Sequence, residues 1–306
     1  MLSNAVLGLG RARTFGAVSV VNAIATGKGA SLGVDLPVDA SVEVRRDGHI
    51  VIDVRRTWQG AQEGTASMPT ALVRAAVLGT LEWAGRAELG AWVVTESRIP
   101  PSRGLKSSSA VANAVVLATL EALQMVGEAR DEDVLGLGVA AARAAGVTLT
   151  GAYDDACASL LGGLCVTDNA AMQLVKRTDV RPDLVAVVHV PDREIRKADV
   201  AKLPYASIAP AAQAAWDAAL AGDFERALTE NGRAYAGLLG VDESPARAAL
   251  EAGARCAGLS GTGPATAALA EPAAAKAVAK ALSRFAGVVL ETRVRNEPGG
   301  VVRRSS

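Results

Sequence analysis

The sequence has few aromatic residues and no net charge. Phe, Trp and Tyr make up 3% of its 306 residues, too few to predict an aromatic platform for sugars or nucleic-acid bases. Lys and Arg together number 32, and so do Asp and Glu. No terminal run of one sign provides the basic surface that nucleic-acid-binding proteins use. We therefore expect no nucleic-acid partner, and an anionic ligand must be bound by a local group of residues.

Cysteines and long apolar runs are also scarce. Cys157, Cys165 and Cys256 are odd in number, and no pair has the CxxC spacing of a zinc or dithiol site. The start, MLSNAVLGLGRAR, lacks the long apolar core and small-residue cleavage site of a signal peptide. No unbroken apolar run reaches the roughly 20 residues that span a bilayer. We expect a cytoplasmic protein without a membrane partner, and no feature of the sequence indicates an oligomeric state.

Common nucleotide and metal motifs are missing. A Walker loop requires GxxxxGK[ST], but Gly27-Lys28 is followed by Gly29 and has Asn22 in place of the first glycine. A GxGxxA stretch at Gly136–Ala141 lies inside a predicted helix with no strand before it, so we interpret it as chance. HExxH is absent, and the only two histidines lie in predicted strands. We assign them a core or surface role.

The periodicity predicts a mixture of strands and helices. Residues 38–54 alternate around Asp47-Gly48, which predicts a two-stranded antiparallel hairpin. Helical spacing predicts helices over 69–84, from Ser107 onward, and over 131–145, 208–220, 224–239, 244–254 and 272–285. Further strands are predicted at 89–95, 164–167, 184–190 and 288–295, and a frayed tail after them. The pattern changes near Gly162-Gly163, which predicts two domains, 1–160 and 161–306.

The segment PPSRGLKSSSA, from Pro100 to Ala110, follows a predicted strand and opens a helix. Its glycine allows unusual backbone angles, its serines let amides approach an anion, and the helix adds the positive end of its dipole. These features predict a phosphate-binding loop. Two alternatives remain: a strand-to-helix turn with a serine N-cap, and an acyl-transfer serine assisted by Lys106. The acyl-transfer reading lacks an identifiable triad partner.

Two further segments carry candidate chemistry. TGAYDDACASLLGG, Thr150 to Gly163, holds the adjacent carboxylates Asp154 and Asp155, which suit either a proton acceptor or a solvated helix cap. GLSGTGPA, Gly258 to Ala265, is a second glycine-rich turn that, taken alone, would only lead into a strand.

These three segments, in this order, resemble those of the galactokinase, homoserine kinase, mevalonate kinase and phosphomevalonate kinase superfamily (GHMP kinases). The phosphate loop of that superfamily has the form P-x3-G-L-x-S-S-x-A. The matching residues are Pro100, Gly104, Leu105, Ser107, Ser108 and Ala110. The resemblance implies an α+β, two-domain kinase: an N-terminal α+β domain, a C-terminal ferredoxin-like domain, and an active site in the cleft between them.

The resemblance also implies ATP and Mg²⁺ as cofactors and assigns residues to them. The implied nucleotide loop comprises Pro100, Pro101, Ser102, Arg103, Gly104, Leu105, Lys106, Ser107, Ser108, Ser109 and Ala110. Ser108 would bind magnesium, with Asp155 as a second candidate ligand. Asp154 corresponds to the Asp that accepts the hydroxyl proton in several members; orienting the substrate is its alternative role. The implied closing loop consists of Gly258, Ser260, Gly261, Thr262 and Gly263.

The substrate prediction rests on NAIATGKGASLGVDLPV, residues 22–38, and on TGAYDDACAS, which resemble the archaeal shikimate kinases. The implied substrate is shikimate, a carboxylate with ring hydroxyls, so its site should offer a cation and polar groups. The candidates are Arg13, Lys28 and Arg103 as cations, Asn22 and Thr26 as polar partners, and Asp154 at the reacting hydroxyl. Homoserine kinase is the nearest alternative, then a non-catalytic nucleotide and metabolite sensor, and last a helix-rich structural protein.

Overall fold

The computed structural model describes residues 5–57, 70–148, 150–193, 195 and 200–303. Its strands are β1 Val6–Val21, β2 Lys28–Arg45, β3 Ile50–Arg56, β4 Gly90–Ser97, β5 Leu164–Asp168, β6 Gln173–Thr178, β7 Val185–Val190, β8 Cys256–Leu259, β9 Thr266–Ala270, β10 Val288–Arg293 and β11 Gly300–Val301. Its helices are α1 Thr70–Trp83, α2 Ser107–Ala122, α3 Asp131–Ala144, α4 Tyr153–Leu161, α5 Ala209–Ala221, α6 Phe224–Leu239, α7 Ser244–Glu251 and α8 Pro272–Leu282. Within these ranges, no helix combines the length and apolarity needed to cross a bilayer.

The first sheet has seven strands among the described residues. Its main path is β11-β1-β2-β4-β3, and β5 joins β2 on one side and β6 on the other. β1 and β2 form a long antiparallel hairpin, from Val6 opposite Arg45 to Val21 opposite Ala30. The strand predicted from residue 38 therefore begins ten residues earlier, at Lys28. This extra length lets β2 pair with β4 near one end and with β5 near the other.

The predicted hairpin at Asp47-Gly48 is wrong in its pairing. Both strands form, but β4 lies between them: it pairs antiparallel with β2 and parallel with β3, so that Val93 faces Val42 on one side and Ile52 on the other. The turn itself is present, with Gly48 at φ +70°. Alternation reports which face of a strand is buried, and it does not report which strand is its neighbour.

The predicted frayed tail, residues 297–306, is wrong at residues 300–301, and its last three residues lie outside the described range. Gly300–Val301 forms the edge strand β11, which pairs with Arg13 and Ala12 of β1. The Gly299 amide just before it donates a 2.6 Å hydrogen bond to the carbonyl oxygen of Leu160 in α4. Backbone hydrogen bonding of this kind leaves no periodic side-chain signal in a two-residue strand.

Helix α2 packs on the first sheet through two glycines of β1. A Cβ on Gly8 would lie 2.0 Å from the carbonyl oxygen of Ala122, and one on Gly10 would lie 2.0 Å from that of Ala118. α2 is Ala- and Val-rich and buried on nearly every side, as expected of a helix in the core. This close approach fixes the position of the loop that precedes α2.

The second sheet has the strand order β10-β7-β9-β8, with every neighbouring pair antiparallel. Helices lie between β7 and β8 and between β9 and β10 in the chain. This βαββαβ sequence of elements with order 4-1-3-2 is the ferredoxin-like arrangement. The predicted α+β class with a ferredoxin-like C-terminal part is confirmed.

The division into 1–160 and 161–306 stays a prediction. Sheet membership changes later, between Thr178 at the end of β6 and Val185 at the start of β7. β5 and β6 follow residue 160 but belong to the first sheet, and β11 returns to it. A boundary drawn by strand pairing would therefore fall near residues 179–184.

Helix α6 joins the two sheets through a glycine contact. A Cβ on Gly232 would lie 2.5 Å from the Cα of Gly258 in β8. The Tyr235 hydroxyl of the same helix donates to the carbonyl oxygen of Asn22 at 2.8 Å, and the Asn22 amide donates to Asn231 Oδ1 at 3.0 Å. α6 therefore positions the end of β1 against the second glycine-rich segment.

Gly232→Ala should destabilise the protein because the new methyl group meets backbone that cannot move aside. We expect a loss of about 1–3 kcal/mol in the free energy of unfolding. Gly237→Ala, in the same helix, is the matched control: a Cβ there has no described neighbour within 4 Å, and alanine should add up to about 1 kcal/mol. Urea denaturation of the three proteins measures both effects; equal values for the two variants would contradict this packing.

Candidate active site

A cavity of about 340 Å³ opens where the two sheets meet. Its walls come from the end of β1, the loop between β4 and α2, the turn after α3, the N-terminus of α4 and the second glycine-rich loop. All three segments identified from the sequence therefore contribute to one cavity.

The β4–α2 loop has the backbone of an anion cradle. Ser102, Gly104 and Lys106 have φ values of 57°, 85° and 64°, and left-handed residues of this kind occur in the backbone nests that bind anions. The N-cap of α2 is Lys106 rather than a serine, and an ammonium cannot accept the capping bond that a serine hydroxyl accepts. This observation disfavours the simple serine-capped turn.

Most of the predicted nucleotide residues line the cavity. They are Pro100, Pro101, Ser102, Gly104, Leu105, Lys106, Ser107, Ser108 and Ser109. Arg103 and Ala110 are not among the described lining residues. Arg103 donates to the carbonyl oxygens of Pro191, at 2.9 Å, and Arg193, and the carbonyl oxygen of Ala110 accepts from Thr14 Oγ1 at 2.6 Å.

The second glycine loop is fastened to the first one by Ser260. Its hydroxyl donates to the Gly104 carbonyl oxygen at 2.7 Å and accepts from the Ser19 amide at 3.0 Å. A Cβ on Gly104 would lie 2.1 Å from the Ser260 carbonyl oxygen, so the contact requires glycine. Gly261, Thr262 and Gly263 line the cavity. Ser260 lies behind them, and Gly258 packs against α6.

Asp154 is a buried carboxylate in the first turn of α4. Its side chain is 4% exposed, which excludes a solvated cap. Asn169 Nδ2 donates to its Oδ1 at 2.7 Å, while the Asp154 amide donates to Asn169 Oδ1 at 3.1 Å. The Ser31 hydroxyl lies 3.1 Å from Asp154 Oδ2 and 2.8 Å from Asp155 Oδ1, so its single proton can serve either carboxylate.

Burial raises the pKa of Asp154 to about 7, and the negative charge of Asp155 adds to the increase. The Lys106 ammonium and the hydrogen bonds from Asn169 and Ser31 act in the opposite direction. A carboxyl group with a pKa near neutrality can accept a proton from a substrate hydroxyl more readily than one with its ordinary pKa near 4.

Lys106 completes this cluster. Its Nζ lies 3.0 Å from Asp155 Oδ1, and the two side chains are 9% and 13% exposed. Of the described residues that line the cavity, Lys106 is the only one with a cationic side chain. The loop thus brings one positive charge to two adjacent carboxylates, one buried and one partly buried.

The predicted substrate residues fall in different places. Asn22 lines the cavity, whereas Arg13, Thr26 and Lys28 are not among the described lining residues. Arg13 forms a bidentate ion pair with Asp39, with Nε donating to Oδ1 at 2.7 Å and Nη2 donating to Oδ2 at 3.0 Å. This pairing raises the pKa of Arg13. Lys28 Nζ lies 4.6 Å from the ring centroid of Trp216, and Thr26 Oγ1 bonds to the Lys28 backbone.

Three serine and asparagine side chains at the site escape sequence-based prediction. Ser31 and Asn169 orient Asp154 from β2 and from the end of β5. Ser19 lines the cavity from β1, and its buried Oγ has no hydrogen-bond partner among the described residues. Ser19 and Asn169 lie outside the segments that carry the resemblance. Ser31 lies inside the stretch 22–38, but an isolated serine on a strand carries no signal that it faces a carboxylate of α4.

The oxygen ligands at the site fit Mg²⁺. Among the residues that the structure describes, no group of three or more Asp, Glu, His or Cys side chains forms a metal cluster. Asp155 and Ser108 both line the cavity, and one carboxylate with one hydroxyl suits an ion that takes its remaining ligands from water and nucleotide phosphates. The ammonium held at Asp155 shows that this carboxylate accepts a cation.

Comparisons with known proteins agree with this geometry. A family described as the GHMP kinases N terminal domain matches residues 71–163. Shikimate kinase of Methanococcoides burtonii is 42% identical over 291 residues, which cover 94% of this chain and 97% of that protein. Shikimate kinase of Pyrococcus abyssi is 37% identical over 286 residues, 94% of this chain and 99% of that protein.

Solved structures show the same fold. Homoserine kinase from Cytophaga hutchinsonii superposes with a TM-score of 0.77 at 20% identity, covering 99% of this chain and 100% of that one. Mevalonate kinase of Methanococcus jannaschii superposes with a TM-score of 0.71 at 17% identity, covering 93% and 98%. The family match and the relatives, together with this fold, define a small-molecule kinase of the GHMP class. Within that class, the chain belongs to the family of the archaeal shikimate kinases.

Asp154→Asn should stabilise the metal-free protein at high pH. Because the folded state raises the pKa of Asp154 from about 4 to about 7, the unfolded chain ionises first, and the buried charge destabilises the fold increasingly as pH rises from 4 to 7. Asparagine stays neutral. We expect the gain in unfolding free energy to be larger at pH 8 than at pH 5 by on the order of 2 kcal/mol.

Urea denaturation in the presence of a chelator, at both pH values, measures this difference. Asp217→Asn, on the exposed face of α5, is the control and should change stability equally at pH 5 and pH 8. A pH-independent loss of stability in Asp154→Asn would mean that the carboxyl is ionised throughout this range and held by its hydrogen bonds.

Proposed function

We propose that this protein transfers the γ-phosphoryl group of ATP to a ring hydroxyl of shikimate, giving shikimate 3-phosphate and ADP. The observation that carries the proposal is the placement of Asp154: a buried carboxylate with a pKa near 7 shares one cavity with the anion cradle at the start of α2. The family membership supports phosphoryl transfer to a small molecule, and the names of the relatives support shikimate as that molecule.

Separate groups of residues bind the triphosphate, accept the proton and hold the metal. The backbone of the 102–109 loop and the N-terminus of α2 bind the triphosphate. Asp154, oriented by Asn169 and Ser31, accepts the proton of the attacking substrate hydroxyl. The oxygen of that hydroxyl forms a bond to the γ-phosphorus, and the bond between the γ-phosphorus and the oxygen that leaves with ADP breaks. Ser108 and Asp155 would hold Mg²⁺, which supplies charge neutralisation on the phosphates when it is bound. Asn22 remains the predicted polar partner of the substrate.

The substrate proposal predicts a clear preference for shikimate over homoserine. Homoserine carries an ammonium as well as a carboxylate, and a site built for ring hydroxyls would leave polar groups unpaired around it. We expect kcat/KM for shikimate to exceed that for homoserine by about 10³-fold or more. A coupled assay of ADP release with each compound measures the ratio; turnover of homoserine alone would assign the other substrate, and ATP binding without any turnover would favour a sensor.

The role of Asp154 is tested by Asp154→Asn, which preserves shape and removes the proton acceptor. We expect kcat to fall about 10²- to 10⁴-fold, while the affinity for ATP, measured by calorimetry, stays close to that of the wild type. Asp217→Asn serves again as the matched control and should leave both values unchanged. Wild-type kcat in Asp154→Asn would remove this residue as the base.

A further inference from the structure

The positive charge of Lys106 lies at the N-terminus of α2, where the helix dipole disfavours a cation. Lys106 is the N-cap of α2, in a left-handed conformation with φ 64° and ψ 27°. A cation at the positive end of a helix dipole is unfavourable, and an anion there is favourable. The side chain is nevertheless nearly buried, at 9% exposure, against the Asp155 carboxylate. Asp155 therefore offsets a charge that the helix alone would repel.

The Lys106 ammonium lies on the cavity wall, between the two glycine loops and the carboxylates. A Cβ on Gly261 would lie 2.9 Å from Lys106 Nζ and 3.7 Å from Ser19 Oγ. The missing Cβ thus leaves room for the ammonium, and Ser19 Oγ is a buried hydroxyl without a described partner on the same wall.

We propose that the Lys106 ammonium takes the place of the metal at Asp155 in the nucleotide-free protein, so that Mg²⁺ enters only together with the nucleotide. The proposal rests on the proposed function, which assigns Asp155 to the metal and the adjoining loop to the triphosphate. A divalent cation and an ammonium in contact with the same carboxylate oxygen repel each other strongly in a buried site. Free Mg²⁺ is therefore excluded from Asp155 as long as Lys106 remains on it.

Nucleotide binding ends the exclusion of Mg²⁺ from Asp155. The triphosphate brings several negative charges to the loop that carries Lys106, and the ammonium exchanges its single carboxylate partner for phosphate oxygens. Asp155 then becomes available to the cation that accompanies the nucleotide. Asp155 therefore has a cation partner both before and after binding, which avoids leaving this carboxylate unpaired in either state.

Manganese titration of the nucleotide-free protein, followed by electron paramagnetic resonance of the free ion, tests the exchange. We expect wild type to bind Mn²⁺ at this site weakly. Lys106→Met should bind one Mn²⁺ per chain about tenfold or more tightly, because the competing charge is gone. The double variant Lys106→Met/Asp155→Asn should return to weak binding, and Lys106→Arg, which keeps the cation, should resemble wild type.

Thermal unfolding establishes that each variant is folded, and Lys106→Gln replaces Lys106→Met if the methionine variant is not. Wild type that binds Mn²⁺ as tightly as the folded Lys106→Met or Lys106→Gln protein would overturn the proposal. So would tight binding that survives in the double variant, since the ion would then not lie at Asp155.

Separate assays distinguish a failure of the Lys106 proposal from a failure of the proposed function. If wild type phosphorylates shikimate but binds free Mn²⁺ as tightly as Lys106→Met, only the exchange fails. If wild type shows the predicted manganese pattern but transfers no phosphate to shikimate, the proposed substrate fails. The exclusion of free metal by Lys106 then still stands, because the titration contains neither nucleotide nor shikimate.

Discussion

The pair of adjacent carboxylates, Asp154 buried and Asp155 partly buried, is the constraint on which the rest of the site depends. Two adjacent carboxylates away from water are costly unless charge and hydrogen bonds compensate them. The partners come from three separate places: Lys106 before α2, Ser31 on β2 and Asn169 after β5. β2 must therefore pair with β5 beside α4, and the phosphate loop must reach across to both. Each of these features of the first sheet places one compensating group, and the incomplete compensation is what leaves Asp154 with its raised pKa.

Contacts between backbone segments, rather than large side chains, set the distances in this scaffold. The sequence has few aromatics, and its elements meet at glycines: Gly8 and Gly10 under α2, Gly232 against Gly258, and Gly104 against Ser260. Backbone atoms have no rotamers, so such contacts define separations more sharply than interdigitated long side chains do. For phosphoryl transfer, which depends mainly on positioning and charge, a rigid frame of this kind is well suited.

Features that depend on neighbouring residues could be predicted from the sequence, and features that depend on distant ones could not. The loop from Pro100 to Ala110 and helix α6 are local, and the structure has both where the pattern indicates them. The insertion of β4 between β2 and β3 is not local, because an alternating strand looks the same beside any partner.

Ser31 and Asn169 lie 123 and 15 residues from Asp154 in the chain. Only the folded structure shows that this serine on a strand and this asparagine in a turn contact the Asp154 carboxylate. The cations Arg13 and Lys28 fit the expected chemistry of a carboxylate site, yet each is engaged by a neighbour, Asp39 or Trp216, which only the fold reveals.

Hydrogen bonds between the two glycine loops connect the second sheet to the cavity residues of the first. Ser260 follows β8 of the ferredoxin-like sheet, but its hydroxyl bonds to the Gly104 carbonyl oxygen of the phosphate loop and to the Ser19 amide of β1. Any shift of one sheet relative to the other must stretch these bonds, so the left-handed backbone that Gly104 and Lys106 need is held from both sides of the cleft. Backbone donors that are held in place in this way need little reorganisation when they stabilise a developing negative charge. The ferredoxin-like sheet thus helps to fix the backbone of the loop that carries Lys106, although neither Asp154 nor Asp155 belongs to that sheet.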